Sequence, residues 1–184
     1  ERWGERHLAI DQLRWAYDDL WEAGRDMGVG KGGHYAINAL RLEKGYRAWG
    51  ADISPDDTPF ETGLAFAVSW EKPTPFIGHD ALMEKWEALP RKQLVSLVLE
   101  DPDVMLWGNE PILRNGTAVG HTTSAAFGHT LGAAVALGYV HCADGVTPEY
   151  LADGDYAILS DGVTCPARVC TDAPYDPQRM RLRM

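Results

Sequence analysis

Apolar positions along the chain follow two different rhythms. Between residues 8 and 23, Leu13, Tyr17, Leu20 and Trp21 recur at helical spacing, while Asp11, Arg14, Asp18 and Glu22 take the opposite side. That pattern predicts an amphipathic surface helix ended by Gly24. A second helix is expected over residues 34–44, with Ala36, Ala39 and Leu40 on one face and Gly45 as a left-handed C-terminal cap. Thr58-Pro59-Phe60-Glu61 reads as a capping box with proline at the first helical position, which gives Glu61 a structural duty rather than a catalytic one. Residues 64–70, a nearly continuous apolar run (Phe66, Ala67, Val68, Trp70), read as a short strand. A further amphipathic helix over residues 80–89 turns Leu82, Trp86 and Leu89 inward, and Pro90-Arg91-Lys92 breaks it.

After that break the rhythm belongs to strands. Residues 94–99 and 133–140 are buried apolar runs. Asn115-Gly116, between residues 112–114 and 117–119, is a type I′ hairpin signal, and Ser160-Asp161-Gly162 joins residues 156–159 to 163–169 in a second hairpin. Six short strands with turns between them predict a small antiparallel barrel, because closure removes the edges a loose sheet would expose. The expected class is α+β: the end of a mixed helix/strand domain over residues 1–90, then a small antiparallel β-barrel over residues 91–184. The chain opens on Glu1 rather than Met, with no obvious domain start, and reads as a piece of something longer.

Composition narrows the partners. A formal charge of −10, from 17 basic and 27 acidic side chains, argues against nucleic acid or an anionic membrane. The sequence carries no apolar run long enough to cross a bilayer and no signal-peptide pattern. Cys142, Cys165 and Cys170 make no CxxC and leave one thiol over in any pairing, so reduced thiols in a cytoplasmic setting are expected, or in the mitochondrial matrix if the source is eukaryotic.

Several chemistries are excluded. The run Gly28-Val29-Gly30-Lys31-Gly32-Gly33 follows a helix rather than a strand and has no Ser or Thr after the Lys, so it fails as a phosphate loop and reads as a connection. The six histidines show no HExxH spacing, and His121 and His129 lack a Cys or acid at ligand spacing, so no metal site is expected. There is no GxSxG elbow. His141 and Cys142 are neighbours on a strand and point to opposite faces, which disfavours a thiol nucleophile. One oddity remains. Glu43 sits in the last turn of a helix, where an acid faces the negative end of the dipole at a cost of roughly 0.3–1 kcal/mol. Either it is solvated, with Arg41 and Lys44 offsetting the cost, or it is a carboxylate aimed at a ligand.

The stretch from Tyr35 to Ile53 resembles the aminomethyltransferase family, the T-protein of the glycine cleavage system. Leu40-Arg41-Leu42-Glu43-Lys44-Gly45 matches its Leu-Arg-x-Glu-x-Gly helix end, and Trp49-Gly50-Ala51-Asp52 its aromatic-Gly-x-Asp. Thr58-Pro59-Phe60-Glu61, then Phe76-Ile77-Gly78 with Ala81-Leu82, and the run from Gly120 to Gly132 follow in the family's order. Lys44-Gly45-Tyr46-Arg47-Ala48-Trp49-Gly50 and Trp70-Glu71-Lys72-Pro73 are most similar to the subgroup fused behind a flavin domain in dimethylglycine and sarcosine dehydrogenases.

The resemblance implies a folate-binding domain ahead of the barrel, tetrahydrofolate as cofactor, and transfer of a one-carbon unit from a small amine or methyl donor. FAD is implied only if a flavin domain lies upstream. By position, Glu43 falls on the family's pterin-binding acid, able to take two N–H groups of the ring as a bidentate pair. Tyr35 matches a folate-contacting tyrosine, Lys72 a cation associated with folate's anionic end, and Trp49 stands where the family usually carries Tyr, suited to ring packing or stacking. The acid that acts beside folate's reacting nitrogens matches no residue here, so no catalytic residue is expected in this stretch and the fragment by itself should be inactive. A non-catalytic regulatory or scaffold relative of the same architecture is the alternative, as is a folate-dependent demethylase with another donor.

Overall fold

The computed structural model describes residues 6–86 and 88–182. Helix α1 (Leu13–Gly24) follows a 3-10 turn at Ile10–Gln12 and runs into another at Arg25–Met27. Its apolar face stays open: Leu13, Tyr17 and Leu20 are all at least half exposed. The glycine run beyond it is a connection, as expected, and Lys31 places its ammonium 4.5 Å from the centre of the Trp21 ring.

Helix α2 (His34–Glu43) ends in a complete Schellman cap. Gly45 takes a φ of 64° and donates to the Leu42 carbonyl at 3.0 Å, and Tyr46 donates to the Arg41 carbonyl at 2.8 Å. Ala39, Leu42 and Glu43 are its buried residues, while Ala36 and Leu40, expected on one face with Ala39, are exposed. The 64–70 run is not a strand. It forms a 3-10 turn at Ala65–Ala67, entered from Gly63 at φ 67°, and its amides bond locally, Leu64 to the Pro59 carbonyl at 2.8 Å and Val68 to that of Ala65 at 3.1 Å. A short apolar run carries no periodicity that separates these outcomes. The capping box forms as expected, with Thr58 Oγ1 and its amide both 2.8 Å from Glu61 Oε2, but it closes a turn and starts no regular helix. Helix α3 (His79–Trp86) is shorter than predicted, and Trp86 packs outside the barrel, against Phe60 and Trp70 at ring separations of 5.1 and 5.4 Å.

The barrel is closed and antiparallel throughout. Its strands are β1 (Lys92–Leu99), β2 (Pro111–Arg114), β3 (Thr117–Gly128), β4 (Ala133–His141), β5 (Tyr156–Ser160) and β6 (Val163–Cys170), with the one-turn helix α4 (Pro148–Ala152) before β5. Around the wall the order is β1-β4-β3-β2-β5-β6. Asn115-Gly116 and Asp161-Gly162 have positive φ at both positions, the type I′ geometry that matches strand twist.

Strand β4 explains how the two halves are joined. Its alternate residues Ala134, Ala136 and Val140 pack inside the barrel with Leu97, Ile112 and Ile158. The residues between them, Val135, Leu137 and Tyr139, pack with Leu42 of α2 and with Leu94 and Val98 of β1. A strand covered on both faces must read as a continuous apolar run. Each large side chain so buried contributes roughly 1.5–3 kcal/mol.

Candidate functional site

The last turn of α2 is anchored by its own acid. Glu43 is 1% exposed. Its Oε1 accepts the amides of Thr130 at 2.6 Å and Leu131 at 3.0 Å, and its Oε2 accepts the Thr130 hydroxyl at 2.9 Å. All these donors come from the turn between β3 and β4. The acid is misplaced against its own helix dipole, yet backbone N–H groups of a second element converge on it, which offsets that cost. An ionised carboxylate offers about four lone-pair positions, and Oε1 already serves two donors. The donors of this turn take three of those positions. One position on Oε2 remains.

Two residues back in the same turn, Arg41 pairs with Asp52, whose side chain is fully buried. Arg41 Nη2 also donates to Ser124 Oγ at 2.8 Å and its Nε to Asn38 Oδ1 at 2.9 Å. Asp52 accepts from the Ala48 amide at 2.8 Å and from Thr123 Oγ1 at 2.5 Å, and its carbonyl accepts from the Tyr139 hydroxyl at 3.0 Å. This meeting depends on a bulge. The β3–β4 register steps from Thr122 opposite Gly138 to Ser124 opposite Leu137, leaving Thr123 as the extra residue. The bulge re-aims consecutive side chains, so that Thr123 and Ser124 both reach this network. Neither Arg41 nor Asp52 was singled out from the sequence, although both lie in the family-like motifs, and the Asp of the aromatic-Gly-x-Asp pattern was the available signal.

The C-terminal segment clasps the same turn. Tyr175 donates its amide to the Glu43 carbonyl at 2.9 Å, and Lys44 Nζ pairs with Asp176 at 3.1 Å. Between this segment and α2 lies a recess of about 360 Å³, lined by Ile37, Leu40, Glu43, Tyr46, Tyr175 and Arg181 among others. Of the residues expected to bind folate, only Glu43 lines it. Tyr35 is 88% exposed and meets the His34 ring edge-on at 6.3 Å. Trp49 is exposed in the turn whose backbone bridges to Ile53, and Lys72 is exposed in the loop before α3. Among the described residues, Tyr35, Trp49 and Lys72 make no hydrogen bond to Glu43.

Among the described residues, no group of three or more His, Cys, Asp or Glu side chains could hold a metal ion, and no helix is long and apolar enough to cross a membrane. Cys142, Cys165 and Cys170 are all unpaired.

With this geometry in view, residues 92–176 match the glycine cleavage T-protein C-terminal barrel domain, and residues 5–72 match the GCVT N-terminal domain. The chain is 40% identical over 181 residues to the mitochondrial sarcosine dehydrogenase of Homo sapiens, which covers 97% of this chain and 20% of that protein. It is 36% identical over 163 residues to the mitochondrial pyruvate dehydrogenase phosphatase regulatory subunit of Mus musculus, covering 83% of this chain and 19% of the relative. The crystal structure of glycine cleavage system aminomethyltransferase T from Bartonella henselae superposes with a TM-score of 0.74 at 28% identity, over 94% of this chain and 46% of that one. The chain thus spans about a fifth of the length of these curated relatives.

Proposed function

Because this chain belongs to the glycine cleavage T-protein family, we propose that it is the C-terminal portion of a tetrahydrofolate-dependent one-carbon transferase of the flavin-linked amine dehydrogenase kind. The observation that carries the reading is the recess of about 360 Å³ against the end of α2, a size within the roughly 300–1,000 Å³ of ordinary ligand sites. Ile37, Leu40, Tyr46 and Tyr175 give it apolar and aromatic walls for a planar ring, and Glu43 supplies one acceptor position at its base. In this reading the ring accepts contact on its faces, and Glu43 Oε2 takes a single N–H instead of a pair.

Tyr35 and Trp49 are both exposed, and we assign them to the rim. Lys72 is assigned to folate's anionic end. The contribution of this chain is positioning, which alone can remove several kcal/mol of a transfer barrier, about 7–11 at the upper limit. The group that acts on folate's reacting nitrogens belongs to a domain outside these residues, as does any flavin site. The division into residues 1–90 and 91–184 is part of this proposal. A second reading, a regulatory relative that uses the scaffold for protein contact, draws on the match to a phosphatase regulatory subunit.

The test uses the full-length protein and calorimetric titration of tetrahydrofolate. Ile37 and Leu40 are exposed, at 44% and 56%, so Ile37→Asp and Leu40→Asp spare the core. Placing a charge in the ring pocket is expected to weaken binding about tenfold or more. Unaltered affinity in both variants would remove the recess from the folate site. A wild-type protein that fails to bind tetrahydrofolate at all would favour the regulatory reading.

A further inference from the structure

Arg47 is a guanidinium that the fold partly buries without giving it an acid. Its Nε donates to the Thr62 carbonyl at 2.9 Å and its Nη1 to the Gly45 carbonyl at 2.7 Å. Those bonds use two of its five N–H donors. The other three have no acceptor among the described residues, and no carboxylate lies within ion-pair distance of Arg47 there. Burial pushes its pKa down from the ordinary value, only partly countered by the charge of Asp52. Asp52 itself is already committed to Arg41, the Ala48 amide and Thr123.

The free side of this guanidinium opens on a second recess, of about 420 Å³, between the α2 cap, the 62–66 turn and the C-terminal segment. Lys44, Arg47 and Arg179 line it, with Leu64, Phe66 and Asp172. Lys44 is neutralised by Asp176, while Arg179 forms no ion pair among the described residues and lies 5.8 Å from the centre of the Phe66 ring. Its backbone sits in the left-handed region at φ 55°, fixed by its amide's bond to the Asp176 carbonyl at 2.9 Å. Asp172, the acid on the wall, is exposed. A β-carbon at Gly63 would stand 2.7 Å from Arg47 Nη2, so glycine there leaves room for the guanidinium. On a chain of formal charge −10, a concave site with two cations lacking acid partners is a local inversion of sign. Such a field concentrates anions.

We propose that this second recess is an anion site, in which the free edge of the Arg47 guanidinium takes a carboxylate or phosphate group of a small ligand and Arg179 closes on it from the C-terminal segment. Planar fork donors suit both groups, which is why Arg rather than Lys is expected to carry the contact. The anion could be free in solution or the glutamyl end of a folate. The chemistry recognised is the same.

The experiment titrates the full-length protein with inorganic phosphate and with glutarate, followed by calorimetry at two salt concentrations. Saturable binding of at least one probe is expected, falling as salt rises and weakening about tenfold in Arg179→Gln and further in Arg47→Gln. Arg47 also ties two backbone carbonyls, so its variant can lose folding as well as binding. Arg179, exposed and without such bonds, is the decisive variant. Tetrahydrofolate bearing one or several glutamyl units then separates the sources. Tighter binding of the longer form, lost in Arg179→Gln, identifies the folate tail; equal binding of the two identifies a free anion. Absence of saturable binding for both probes, or an affinity unmoved by Arg179→Gln in a folded protein, overturns the proposal.

Discussion

Asp52 ties the turn after α2 both to the helix and to the barrel. Its carboxylate meets Arg41 of α2, the Ala48 amide of the following turn and Thr123 of β3, while its own carbonyl takes the Tyr139 hydroxyl. The pair is enclosed, with Asp52 fully buried and Arg41 only 15% exposed. Removing one partner of such a pair strands the other charge in a poorly solvated place, at a cost of about 3–5 kcal/mol. Asp52→Ala is therefore expected to lose stability of that order in chemical denaturation. A change below about 1 kcal/mol would place the pair in the class of weak, solvent-screened bridges. Glu43 belongs to the same scale. Sequence identified it as a residue with an unusual position, and the structure supplies a reason, the amides of Thr130 and Leu131, that no local pattern contains.

Strands β3 and β4 set the geometry on which the site depends. Gly138 sits opposite Thr122, at the step where the Thr123 bulge begins. A β-carbon there would lie 2.6 Å from Ile112 Cδ1, 2.7 Å from the His121 carbonyl oxygen and 2.9 Å from Thr122 Cα. Two of those three atoms are backbone and cannot swing aside. Gly138→Ala is expected to cost about 1–3 kcal/mol or more as an overpacked position, measured as a lowered urea midpoint. A midpoint equal to wild type would mean that the bulge can relax around a methyl group. The hairpin turns of the barrel were legible in the sequence because Asn-Gly and Asp-Gly state their backbone conformation outright. The bulge was not. Thr122-Thr123-Ser124 has no composition that distinguishes a regular strand from one with an extra residue.

The whole molecule is joined across its two halves by charge as well as by apolar packing. Asp57, from the helical half, pairs with Lys92 at the start of β1 at 2.5 Å and accepts from the Ser54 amide at 2.7 Å and hydroxyl at 2.9 Å. Burial raises its pKa, but these donors outweigh it and hold the carboxyl below the ordinary carboxylate range. A carboxyl with a depressed folded value contributes its stability above the unfolded pKa of about 3.9 and loses it as pH falls through the folded value. Wild type should therefore lose stability below about pH 4 more steeply than Asp57→Asn, when unfolding is followed by circular dichroism from pH 6 downward. Parallel profiles for the two proteins would remove Asp57 from the acid response.

Sequence by itself determined the hairpin turns, the glycine stop after α2, the six-stranded barrel and the family, because each is written in local conformational preference or in contiguous motifs; that β3 runs on through residues 120–128 was not read from it. It misassigned the 64–70 run, because a short apolar stretch fits more than one conformation. Tertiary structure alone decided how the polar residues of the α2 end are spent: Glu43 on the turn at Thr130, Arg41 on Asp52 and Ser124, and Arg47 on two carbonyls with an edge left free. The physical reason is distance in the chain. Arg41 and Ser124, or Glu43 and Thr130, meet only after a barrel has closed and a bulge has turned, and whether a charged group is satisfied or left available depends on those partners.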